Sequence, residues 1–263
     1  MIIRKSAEEI ARMRKAGRLV GHTLTVVTEA VRPGVSLLEL DALAERTITT
    51  AGAVPSFKGY HGFPATLCLS PNDWIVHGIP NDYRLREGDI LSVDCGAIVE
   101  GYHGDAAVTV PVGEIQAADR LLIETTERAL WAGIDKCRSG NRLSDIGHAV
   151  EQVAATGGYG VVREYVGHGI GTRMHEEPQV PNYGRPGRGL RLDGGLVLAI
   201  EPMLNRGGPE TEVLDDHWTV VTRDGSRSAH FEHTVAITEH GPEVLTLLDG
   251  RVQSDWLPEA MAR

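Results

Sequence analysis

Four acidic residues stand in segments whose other members favour buried strands. Asp94 interrupts Ile90-Leu-Ser-Val-Asp-Cys-Gly-Ala-Ile-Val99, and Asp105 interrupts Tyr102-His-Gly-Asp-Ala-Ala-Val-Thr-Val110. Glu100-Gly101 between these runs is a hairpin signal. In a hairpin with a two-residue loop, opposed positions have numbers of opposite parity, so Asp94 and Asp105 share one face, directly opposed or one diagonal step apart. Aspartate is unfavourable in a strand, and like charges on neighbouring strands repel. A divalent cation held between the carboxylates would compensate. On the pair alone a second reading stays open, with one aspartate at a frayed strand end and the other in a loop.

The second half of the chain adds donors. Gly167-His168-Gly-Ile-Gly171 precedes Met174-His175-Glu-Glu-Pro178 in what reads as a glycine-rich loop, where backbone can approach a ligand closely. His175-Glu-Glu-Pro lacks the second histidine of His-Glu-x-x-His, which excludes a helical zinc-protease site. Glu201 within Val197-Leu-Ala-Ile-Glu-Pro-Met203 and Glu232 within Phe231-Glu-His-Thr-Val-Ala-Ile237 again break apolar runs. Asp94, Asp105, His168, Glu201 and Glu232 together make four carboxylates and one imidazole, an oxygen-rich set able to bridge two metal ions.

These residues need elements to carry them. Ser6-x-x-Glu9 is a capping box followed by Ile10, Met13, Leu19, Val20 and Leu24 at near-helical spacing. Ser36-x-x-Glu39 opens a second amphipathic run closing at Gly52. The pattern returns at an offset of 106: Leu37 matches Leu143, Leu40 matches Ile146, Glu45 matches Glu151 and Thr50 matches Thr156. Glu87 to Asp94 likewise aligns with Gly194 to Glu201, each run ending on a carboxylate. The expectation is an α+β fold of two pseudo-symmetric halves, about 1–112 and 113–250, with helices first, mainly antiparallel strands afterwards, and one catalytic domain over 1–263. A chain of 263 residues can bury one large core, hiding roughly 70 to 75% of its extended surface.

Composition excludes several classes. The 36 acidic residues outnumber 26 basic ones, for a formal charge of −10; scattered lysines and arginines do not make a phosphate-binding surface, so no DNA partner is expected. There is no run of eighteen apolar residues and no signal-peptide pattern at Met1 to Glu9, so no membrane partner and a cytoplasmic location are expected. Cys68, Cys95 and Cys137 form no Cys-x-x-Cys pair and read as small buried hydrophobes, with Cys137 in an apolar helical pattern.

His77-Gly-Ile-Pro80, Val93-Asp94-Cys-Gly, Gly104-Asp105, Gly-His168-Gly-Ile-Gly, Met-His175-Glu-Glu-Pro-Gln-Val, Ile200-Glu201-Pro-Met and Phe231-Glu232-His-Thr resemble, in order, the motifs of type I methionine aminopeptidases, from Ser6 to about Leu248. The resemblance implies the pita-bread fold and removal of the initiator methionine from nascent polypeptides with a small second residue. It also implies two divalent ions (Co(II), Mn(II), Fe(II) or Zn(II)): Asp94 on one, His168 and Glu201 on the other, Asp105 and Glu232 bridging. A bridging water, its pKa lowered toward about 7, would supply hydroxide to attack the amide. His77 and His175 would flank that amide and stabilise the oxyanion, and Glu201 would carry a proton. The methionine slot maps to Tyr60, Phe63, Cys68 and Trp218 with His77 nearby; relatives often carry Cys in place of Phe57 and Phe in place of Met174. Substrates would be met near the ribosome, by a monomer.

Two other readings remain. A proline-directed aminopeptidase or dipeptidase shares the fold and the five ligands but normally carries a large additional N-terminal domain, for which a first helix near Ser6 leaves no room. A non-catalytic peptide-binding relative would typically have lost ligands. The stretch from Ala117 to Leu130 and the terminal Ser254 to Arg263 show no chemistry, and His61, His103 and His233 have bland readings, His233 facing away from the ligands because it follows Glu232 in a strand.

Overall fold

In the computed structural model, residues 2–251 are described; Met1 and the terminal stretch including Ser254 to Arg263 lie outside the described residues. Both capping boxes form. The Ser6 hydroxyl accepts from the Glu9 N–H at 3.3 Å and the Glu9 carboxylate accepts from the Ser6 N–H at 2.8 Å, starting helix α1 (Ala7–Ala30). Ser36 and Glu39 repeat this at α2 (Leu37–Thr50). Helices α3 (Ala117–Asp135) and α4 (Leu143–Gly157) follow, and α4 starts 106 residues after α2, the offset of the sequence repeat. Cys137 is buried as expected but lies beyond the end of α3 rather than within a helix, with its thiol directed at the Gly133 carbonyl, 3.7 Å away.

A nine-stranded sheet, with every described neighbouring pair antiparallel, stands beside two three-stranded sheets. Its longest strands form the hairpin of Ile90–Val99 and Tyr102–Pro111. Glu100 and Gly101, at φ 51° and 81°, make the two-residue turn, in which positive φ at both positions matches the strand twist. Glu232–Thr238, Val197–Ile200, Gly167–Gly169 and Glu176–Val180 extend the sheet on one side, with Gly241–Val244 also paired to Glu232–Thr238, and Leu67–Pro71 and Val54–Pro55 join Ile90–Val99 on the other.

One face of this sheet is covered by helices. Val93, Cys95, Ala97, Ala106 and Val108 are buried in one core with Val20, Leu24 and Val27 of α1. The approach is close: a Cβ at Gly104 would lie 2.8 Å from the Gly17 nitrogen and 2.9 Å from the Ala16 carbonyl carbon, so the small residues let α1 sit on the hairpin backbone. Residues of alternate parity, Asp94 and Asp105 among them, point to the opposite face.

Candidate metal centre

The register places all five predicted ligands on that face, in two adjacent rows. One row runs Cys68, Asp94, Ala107 and Glu232, paired strand to strand, with Glu201 just beyond the end of its strand. The next runs Gly96, Asp105, then Thr234, Ala199 and His168. Asp94 and Asp105 are therefore one diagonal step apart, with Asp105 opposite Gly96. Alanines 107 and 199 leave space between the charged side chains. Asp105, His168 and Glu232 bring donor atoms within 4.8 Å of one another, and His168 Nε2 lies 3.5 Å from Glu201 Oε1 and 3.9 Å from Asp105 Oδ2.

Three local expectations differ. Gly167–Gly169 is a short interior strand rather than a loop, paired on both sides, which its glycines allow because a Cβ at Gly167 would press on Val180 Cβ at 3.1 Å. Glu201 follows its strand instead of interrupting it, since Pro202 has no N–H for the ladder. Glu232 opens its strand. His233 faces the helices as expected, with its ring edge-on to Trp131 and Nδ1 3.0 Å from the Thr246 hydroxyl.

Burial dominates the electrostatics. It pushes the Asp94 carboxyl up to about 7, and it holds Asp105, Glu201 and Glu232 well above the ordinary range, with their mutual charge adding to it. Four acids cannot all ionise here without a cation. Burial, then His175, lowers the His168 pKa to about 3, leaving a neutral imidazole. His168 Nδ1 is 2.9 Å from the Gly169 carbonyl. A carbonyl only accepts, so Nδ1 carries the proton and Nε2 presents its lone pair to the acids, the arrangement of a metal-ligating histidine. Asp94 Oδ1, Asp105 Oδ1 and Glu232 Oε1 are buried with no hydrogen-bond partner. Orphaned carboxylate oxygens converging on a neutral imidazole fit divalent cations.

Beside the acids lies a pocket of about 140 Å³ lined by all the predicted site residues, similar to a cavity of ~150 Å³ that takes one benzene-sized group. Its apolar part joins Phe57, Phe63, Cys68 and Met174 with Tyr60 and Trp218. Phe63 meets Trp218 edge-on, ring centroids 5.1 Å apart. Phe57 reaches the slot over Gly96, where a Cβ would lie 2.8 Å from the ring. His77 stands at the border at φ 60°, an uncommon conformation for a side chain of its size, with its ring edge-on to Tyr165 and Trp218. Burial, then His175, lowers its pKa to about 4. His175 is 4.3 Å from His168 between ring centroids and 2.8 Å from the Tyr60 hydroxyl through Nδ1.

The chain as a whole has close counterparts among known proteins. Residues 11–239 match metallopeptidase family M24. The chain belongs to that family. It is 53% identical to a methionine aminopeptidase of Clostridium perfringens over 94% of this chain and 100% of that protein. A crystal structure of methionine aminopeptidase from Rickettsia prowazekii superposes with a TM-score of 0.93 at 42% identity, over 94% of this chain and 100% of that one. A prolidase from Pyrococcus furiosus shares the fold at a TM-score of 0.76 and 24% identity, with 94% of this chain covering 66% of its length. Membership of an M24 metallopeptidase family implies divalent metal ions, in keeping with the donor set above.

Sequence reasoning missed the supports. Thr234, noticed only as the end of a motif, accepts from the Asp105 N–H at 3.1 Å and donates to the Asp105 carbonyl at 2.8 Å, tying two ligand strands together. Asn182 donates to the Glu201 carbonyl at 3.0 Å. Neither position stands out by residue type or spacing.

Proposed function

We propose that this protein is a metal-dependent aminopeptidase that removes the N-terminal methionine of polypeptides whose second residue is small. The observation that carries this reading is the continuity of slot and acids: Cys68 of the apolar slot is paired directly with Asp94, so a side chain in the slot brings its own backbone amine and carbonyl to the carboxylates. Such a slot suits an unbranched thioether, which packs well on aromatic edges. Recognition of the free terminal amine beside the acids would account for exopeptidase action.

Asp94 would hold one ion, His168 and Glu201 a second, and Asp105 and Glu232 both. Bound divalent ions supply Lewis acidity, polarising a carbonyl and lowering the pKa of water from 15.7 toward about 7. The chain's own residues then orient and stabilise. His77 and His175, kept neutral by burial, act as hydrogen-bond partners on either side of the scissile amide, and a donor aimed at the developing oxyanion is worth several kcal/mol, about 3 to 4 where it has been removed elsewhere. Glu201 would also carry a proton to the leaving nitrogen. We further infer action on nascent chains near the ribosome, as a cytoplasmic monomer. No helix among the described residues is long and apolar enough to cross a membrane.

The test uses Met-Ala-Ser, Met-Ile-Ser and Ala-Pro with the metal-loaded protein. Methionine should be released from the first, and a β-branched second residue should slow release by the roughly 1 to 3 kcal/mol of a misfitting methylene, about 10- to 200-fold. Equal cleavage of the two tripeptides would sink the small-residue preference. Rapid hydrolysis of Ala-Pro would favour the proline-directed reading, and a full metal complement without peptidase activity would favour a binding protein.

A further inference from the structure

Tyr60 and His175 come from opposite halves of the chain, 115 residues apart, and meet at the mouth of the pocket. The Tyr60 hydroxyl is 2.8 Å from His175 Nδ1, with ring centroids 5.3 Å apart. The segment that presents this phenol is tightly closed. Gly59, His61 and Gly62 have φ of 89°, 48° and 89°, the Gly59 N–H donates to the Phe63 carbonyl at 2.8 Å, and the Phe63 N–H donates to the Tyr60 carbonyl at 2.9 Å. The left-handed region is unfavourable for a non-glycine residue such as His61, so the surrounding contacts define this loop and with it the direction of the hydroxyl. On its other side, the His175 ring leans against His168, centroids 4.3 Å apart.

The chemistry of the contact sets a proton. A neutral imidazole nitrogen is a much stronger acceptor than a phenol oxygen, and burial raises the Tyr60 pKa, so the phenol keeps its proton at neutral pH. Tyr60 therefore donates and His175 Nδ1 accepts. The proton of the neutral His175 ring then sits on Nε2, the nitrogen left to the pocket.

We propose that Tyr60 is a positioning residue for hydrolysis, holding His175 in the tautomer and orientation in which Nε2–H donates to the substrate carbonyl as it becomes an oxyanion. This rests on the role given to His175 above. It separates two functions of one side chain: the Tyr60 ring walls the slot, and its hydroxyl acts only through His175.

Tyr60→Phe keeps the wall and removes the hydroxyl. With Met-Ala-Ser, kcat should fall about tenfold while KM stays within about twofold and metal content is unchanged. A second readout follows the ring itself. In 15N-histidine-labelled, zinc-loaded protein, diamagnetic because Zn(II) is d10, the His175 resonances, assigned by their loss in His175→Ala, should show one tautomer protonated at Nε2 in the parent and a mixture in Tyr60→Phe. In the His175→Ala background, Tyr60→Phe should cost nothing more. Unchanged kcat in Tyr60→Phe, a KM effect alone, or an unaltered His175 tautomer would each overturn the proposal. If His175→Ala itself turned over like the parent, the role of His175 would fall first, whatever Tyr60→Phe did.

Discussion

Replacing Glu232 by glutamine separates the two things this side chain does. Glu232 is 2% exposed, its Oε1 has no partner, and its donor atom lies within 4.8 Å of those of Asp105 and His168. Glutamine keeps the size and one acceptor and removes the charge. With metal, a lost charged ligand should weaken at least one ion by more than the 10- to 100-fold typical of outer supports. Metal at about 1,000 times its Kd stabilises the parent by ~4 kcal/mol, roughly 8 to 16 °C at 2 to 4 °C per kcal/mol for a chain of this size. A 100-fold weaker site at the same concentration gives ~1.4 kcal/mol, roughly 3 to 6 °C. Without metal the sign reverses. Burial, Glu201 and Asp94 raise the Glu232 pKa in the folded state, so the folded protein binds more protons than the unfolded chain and loses stability as pH rises above about 4. Glutamine has no such loss. Chelator-stripped Glu232→Gln should melt above the stripped parent at pH 8, with the gap closing toward pH 4, whereas under saturating Mn(II) the parent should melt higher. Thermal melts with and without metal, metal analysis and Met-Ala-Ser turnover together decide it. Parent-like metal affinity in the variant, or a stripped variant less stable than the parent at pH 8, would refute the ligand role or the mutual repulsion respectively.

His175→Ala should retain its metal but turn over Met-Ala-Ser more slowly, because its hydrogen bond belongs to the transition state; a large loss of metal would assign it to the ligand set instead. His233 is buried away from the acids and its pKa is lowered to about 4 by burial, so its contribution to stability is complete above about 6.5 and is lost as pH falls toward 4, by about 3 kcal/mol at 1.36 kcal/mol per unit. Chemical denaturation between pH 4 and 7 should accordingly show a shallower pH slope for His233→Gln, and an identical slope would contradict this. Gly104→Ala drives a methyl into the backbone of α1 and should destabilise by about 1 to 3 kcal/mol; an unchanged melting temperature would mean that α1 can move off the hairpin freely.

Much of this site was legible because its signals are violations of local rules. Carboxylates in β-branched runs demand compensation wherever the strands end up, and hairpin parity puts Asp94 and Asp105 on one face before any packing is known. Capping boxes at Ser6 and Ser36 are equally local, since donor and acceptor lie three residues apart, and the helix offset of 106 survived as a periodicity in residue type. The family motifs pointed to His77, His175 and the slot residues.

What the tertiary structure alone decided is how distant strands stand side by side. Nothing within Gly167 to Gly169 says that it forms an interior strand, because its glycines have no strand preference and its pairing comes from Val180 and Ala199. Ala107 and Ala199 are ordinary small residues until the register sets them between the ligands. Thr234 becomes a tie between strands only beside Asp105, and the proton on His175 depends on a phenol 115 residues away. Local sequence carries the preferences of single elements, whereas the distances between donors depend on register and packing, which only the assembled sheet defines.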